Sequence, residues 1–118
     1  MSIIRLNLKN GQGLGNQLWN IASAYGISNY LGFNLEITSF DKFKGKNFLK
    51  LPSDIITLEE KVQDKIPIFY EKMYLDNSLK YYASIYDEEV LNISKSIEIR
   101  GLFQSEKYYK ISKINISS

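Results

Sequence analysis

The stretch Gly11-Gln12-Gly13-Leu14-Gly15-Asn16-Gln17-Leu18-Trp19 constrains this chain most, because it separates two hydrophobic patterns of different period. Before it, Ile4, Leu6 and Leu8 alternate with Arg5 and Asn7, the two-residue period of a half-buried strand. After it, Leu18, Ile21, Ala24 with Tyr25, and Leu31 recur at three- and four-residue spacing. That spacing predicts a helix with one stripe on a sheet, Asn16 as its N-cap and Gly32 at C′. Phe33, Leu35 and Ile37 then alternate with Asn34 and Glu36, a second strand. Strand, glycine turn, helix and strand in this order form a right-handed crossover, which makes the strands parallel and sets the turn at their carboxyl edge. Glycine in such a turn lets backbone amides approach an anionic or polyhydroxylated group closely.

The glycine spacing is not that of the common nucleotide motifs. Asn16 stands where G-x-G-x-x-G needs its third glycine, and reading from Gly13 puts Leu18 in the last place. No Lys followed by Ser or Thr closes the turn, so it is not a phosphate loop of the nucleoside-triphosphatase kind. A tight βα turn with no ligand is the alternative reading of the glycines, since such turns commonly need glycine.

Composition narrows the chemistry. At 118 residues the chain predicts one domain with a real core. It contains neither cysteine nor histidine, which excludes disulfides, thiol nucleophiles, histidine bases and the usual zinc and iron sites. No Asp-x-Asp pair is present, and Asp87-Glu88-Glu89 fits the first turn of a helix, so no metal is expected. A net charge of +2 makes no electrostatic case for nucleic acid. Lys42, Lys44, Lys46 and Lys50 do cluster, but Phe40, Phe43 and Phe48 between them suggest a solvated loop with aromatic anchors. No apolar run approaches the roughly 18 residues of a membrane span. Met1 runs into a strand within two residues without a secretory leader, so a cytoplasmic location is expected.

Beyond the second strand, 38–51 reads as loop with a short extended piece near Phe48 to Leu51, stopped by Pro52. Thr57 and Glu60 have capping-box spacing and predict a short helix from Leu58 to Lys65. Ile68 to Leu75 favours a strand, with Asp76-Asn77-Ser78 as a turn after it. Tyr81, Tyr82 and Tyr86 can stack on a sugar, although rings at element edges more often pack against the core. A helical turn over Asp87 to Leu91 and a strand from Ile97 to Arg100 follow, and Ser105 can cap a further helix. If that strand is parallel to the first, two polar turns share one sheet edge.

Two separated segments then resemble one family in the correct order. Gly13-Leu14-Gly15-Asn16-Gln17-Leu18-Trp19 with Tyr30-Leu31-Gly32, and Tyr86-Asp87-Glu88-Glu89-Val90-Leu91 followed by Gly101-Leu102-Phe103-Gln104-Ser105-Glu106-Lys107-Tyr108-Tyr109, resemble the amino-terminal half of the α-1,2-fucosyltransferases of glycosyltransferase family 11. The resemblance implies an α/β fold, a Rossmann-like parallel sheet with flanking helices forming one lobe of a GT-B-type glycosyltransferase. It implies transfer of fucose from GDP-fucose to a galactoside hydroxyl with inversion, no metal and no cofactor beyond the donor. Carried onto this chain, it makes Gly13, Gly15, Asn16 and Gln17 the substrate-binding turn, with Gln104, Ser105 and Glu106 at the neighbouring strand end. Asn16 is the expected hydrogen-bonding residue nearest the chemistry, with helix capping as its alternative role.

Two departures matter. Gln12 stands where the family commonly has a further glycine. The family's His-x-Arg-x-x-Asp motif, which grips the donor phosphates from a second lobe, has no counterpart in a chain without histidine. Arg5 and Arg100, the only arginines, both fall in predicted strands, and neither is an evident replacement. Residues 1–118 are therefore expected to be a single acceptor-side lobe without the donor-binding lobe, inactive alone, and able to self-associate through its inter-lobe surface. The alternatives are a non-catalytic glycan- or anion-binding module, or a degenerate Rossmann nucleotide-binding domain with Glu36 as the ribose acid.

Overall fold

A computed structural model describes residues 2–9, 12–62, 64–71, 73–76, 81–84, 88–101 and 108. Its centre is a five-stranded, wholly parallel sheet in an α/β, Rossmann-like arrangement. The strands are β1 (Ile3–Asn7), β2 (Asn34–Thr38), β3 (Ile56–Thr57), β4 (Ile68–Tyr70) and, later in the chain, β7 (Ile97–Arg100), in the order β3-β2-β1-β7-β4. Between β4 and β7 the chain forms a separate antiparallel pair, β5 (Met73–Asp76) with β6 (Tyr81–Ser84). Helix α1 (Leu14–Leu31) makes the crossover from β1 to β2.

Alternation sorts the sheet into two faces. Ile4, Leu6, Leu35, Ile37 and Ile99 are buried and meet Ile21, Ala24 and Ile27 of α1 in the core. Val90, from a 3-10 turn at Glu88–Asn92, and Tyr108 complete that core. Arg5 pairs in register with Glu36 on one side and Glu98 on the other, so the opposite face is charged. Gly32 ends α1 in the left-handed conformation at φ 73°, and Phe33 N donates to Ser28 O at 2.8 Å, the glycine stop the sequence predicts.

Five local expectations are corrected. The N-cap of α1 is Gly13, extended at φ −75° and ψ 163°, with Gln17 N donating to Gly13 O at 3.1 Å. Asn16 therefore lies inside the first turn and is not the N-cap residue. Leu18 is 37 % exposed, because the buried stripe runs through Gln17, Asn20, Ile21, Ala24 and Ile27 instead.

No helix forms over the described residues between 58 and 65. Their backbone is committed elsewhere: Leu58 N donates to Ile37 O at 2.9 Å, and Leu58 O and Glu60 O accept from Phe40 N and Ser39 N. Continuation of the β2 edge outcompetes the capping box. Phe48 ends a turn and 49–51 carry no strand, in place of the extended piece near Phe48 to Leu51, and the strand that pairs with β2 is β3. The predicted strand from Ile68 to Leu75 is split, since Glu71 N donates to Arg100 O as the last rung beside β7 and β5 then joins β6.

Candidate functional site

β7 is parallel to β1, so both strands deliver their carboxyl ends to one edge. The chain runs outward from β1 through β2 to β3, whereas β7 and β4 lie on the other side. Their boundary is the reversal point at which open α/β sheets leave a crevice. A cavity of about 280 Å³ sits there. Leu6, Asn7 and Lys9 line it from β1 and its extension, Gln12 and Asn20 from the turn and helix, and Ile99, Arg100 and Gly101 from β7. Lys61 closes it from the segment that follows β3.

Three cations and no carboxylate are found among the described lining residues. Lys9 and Lys61 are exposed, with no ion pair recorded among the described residues. Arg100 Nε donates to Glu98 Oε2 at 2.8 Å. That hydrogen bond is the leading cause of a guanidinium pKa above its ordinary value, so Arg100 is a fixed cation. Gly101 follows it at φ 147°, a backbone conformation that disfavours a side chain at the rim.

Asn7 is held from below. Thr38 Oγ1 and Ser39 Oγ both donate to its Oδ1 at 2.7 Å, which fixes the amide plane. Ser39 reaches this position in the left-handed conformation, φ 55° and ψ 41°, at a cost of about 1–2 kcal/mol for a non-glycine residue. Its N–H donation to Glu60 O and its carbonyl's acceptance from Lys42 N hold that backbone in place. Asn20 differs. It is only 6 % exposed, yet its Oδ1 accepts no hydrogen bond among the described residues.

The sequence-predicted residues separate by role. Gly13, Gly15 and Asn16 are exposed at the start of α1 and are not among the residues that line the cavity, and a Cβ at either glycine meets nothing within 4 Å. Gln17 is buried, with its Nε2 donating to Lys42 O at 2.8 Å and its Oε1 accepting from Lys44 N at 2.9 Å. It fastens the 42–44 loop to α1. Gln104, Ser105, Glu106 and Gly11 lie outside the described residues, as does Tyr86; Tyr81 and Tyr82 fall in β6.

Glu36 accepts from Arg5 Nε at 2.7 Å in mid-strand, away from the carboxyl edge, so it is not a ribose-binding acid. Among the described residues, no three acidic side chains gather as a metal site needs. No helix among them is long and apolar enough to cross a membrane.

Sequence reasoning missed Lys9, Asn20 and Lys61, and did not place Arg100 at a cavity. Asn20 carried a signal: a polar residue three positions from Gln17 and four from Ala24, on the stripe that a helix buries. Comparison of the chain with known protein families, curated proteins and solved structures finds no match.

Proposed function

We propose that this chain is the amino-terminal lobe of a fucosyltransferase-type glycosyltransferase of GT-B architecture, which transfers fucose from GDP-fucose to a galactoside hydroxyl. The observation that carries the reading is a convergence. Gln12 and Asn20, which flank the first family-like stretch, and Gly101, which opens the 101–109 part of the second, line one cavity that has three cations and no carboxylate among its described lining residues. Transfer with inversion leaves a nucleoside diphosphate anion, and fixed positive charge at the sheet edge lowers the energy of that developing charge. Asn16, exposed on the first turn of α1, is the proposed hydrogen-bonding residue for substrate. As an amide it positions and does not act as a base. With no histidine in these 118 residues, the donor-gripping motif of the family would have to come from outside them.

The test supplies what the chain lacks. Alone, it is expected to give no fucose transfer from GDP-fucose to lactose. Fused ahead of a family donor lobe and shown by circular dichroism to be folded, it is expected to transfer. Asn16→Ala should then lower kcat on the order of a hundredfold to a thousandfold, the size of effect seen when one positioned donor is lost. A folded fusion without activity overturns the reading. The same cavity also favours a second reading, a non-catalytic anion-binding module, and phosphate binding by a fusion that never transfers would select it.

A further inference from the structure

We infer that the cavity at the ends of β1 and β7 receives a small phosphate ester that also carries hydroxyls, a sugar phosphate, and that Asn20 is the residue that reads a ligand hydroxyl. The inference deepens the glycosyltransferase reading and rests on it only for which sugar is bound.

Lys9 and Lys61 face the space with no ion pair among the described residues, Arg100 shares its charge with Glu98, and no acidic side chain is among the described lining residues, so a cationic ligand is repelled and an oxyanion attracted. Size comes next. About 280 Å³ lies at the small end of ligand cavities, which suits one sugar ring and a phosphate better than a whole nucleotide sugar. The third step is the unpaired acceptor. Asn20 Oδ1 is a buried carbonyl oxygen without a donor, on a side chain that lines this cavity. A phosphate monoester at neutral pH is largely the dianion, whose oxygens accept and do not donate, so the phosphate group alone leaves Asn20 unsatisfied. A hydroxyl on the same ligand donates to it. Leu6 and Ile99 supply apolar wall for the ring.

The full chain is titrated calorimetrically, at low salt, with fucose 1-phosphate and with cyclohexyl phosphate, which has a six-membered ring and no hydroxyls. Fucose 1-phosphate is expected to bind about tenfold tighter, the effect of one hydrogen bond to a buried acceptor. Asn20→Leu should bring that ratio near one, leave cyclohexyl phosphate binding little changed, and raise the thermal midpoint, because the unsatisfied carbonyl is gone. A purely structural Asn20 would lower the midpoint instead. Asn20→Ala repeats the ratio test if the leucine variant fails to fold, and Lys61→Gln should weaken both esters alike.

A ratio near one in the wild type, as when water already satisfies Asn20, overturns the inference. So does a preference that survives in Asn20→Leu, or failure of either ester to bind. Fucose 1-phosphate and glucose 1-phosphate bound alike, both above cyclohexyl phosphate, support it and count against the fucose reading. Transfer by the fusion without any hydroxyl preference overturns the inference and leaves that reading standing.

Discussion

The two faces of the parallel sheet obey different physics, although the same strands build both. Beneath α1, Ile4, Leu6, Leu35, Ile37 and Ile99 form a dry layer in which stability comes from area removed from water. On the opposite face Arg5, 3 % exposed, bridges Glu36 within the sheet and Asp64 beyond it. Glu98 and Arg100 pair one strand over. A buried ion pair adds little net stability and gains its attraction only with both partners present. The apolar face therefore holds the fold together, and the charged face fixes where the segment after β3 lies. That segment brings Lys61 to the cavity, so the charged face serves the site.

Cutting into the apolar face should have the largest effect. Ile37 is fully buried between its neighbours on β1 and β3, and Ile37→Ala is expected to cost about 4 kcal/mol in urea unfolding, from lost transfer energy plus a cavity. A cost under about 1 kcal/mol would mean that the layer is not the stabilising one. Arg5→Ala on the other face should come next, at about 3 kcal/mol, because it strands the largely buried Glu36 carboxylate. Its second signature is specific to the comparison: protease cleavage should rise selectively in the segment that carries Asp64. Equal cleavage everywhere would assign Arg5 to general stability.

What could be read in sequence follows the same division. β1, α1, β2 and β7 each declare themselves through a local period, since one side of each meets the apolar core. β3 is two exposed residues held by β2, and no local pattern announces it. The false helix at 58–65 arose because Thr57 and Glu60 satisfy a local rule while the backbone partners of Leu58 and Glu60 lie about twenty residues back, at Ile37, Ser39 and Phe40. The site divides likewise. The glycine turn and its sheet edge were legible from the crossover rule. Lys9, Asn20, Lys61 and Arg100 come together only through the strand order, which nothing in their spacing encodes.

The smallest expected effect tests the charged face by pH. Asp64 lies outside the dry core, its side chain 54 % exposed, and the hydrogen bond from Arg5 is the leading cause that holds its carboxyl below the ordinary value of 3.8. A carboxyl depressed in the folded state contributes stability above its unfolded pKa and loses that contribution as pH falls through the lower, folded value. Urea midpoints measured from pH 6 down to 3 should therefore fall more steeply for the wild type than for Asp64→Asn, with the two lines converging at the acid end. Among the described residues the apolar face has no carboxyl group to titrate between pH 6 and 3, so Ile37→Ala should shift the whole curve down without changing its slope. If Asp64→Asn instead ran parallel to the wild type through pH 4, the Arg5–Asp64 contact would carry no proton linkage. The segment bearing Lys61 would then have to be held by its backbone bonds to Ile37, Ser39 and Phe40 and by the Lys46–Glu59 ion pair.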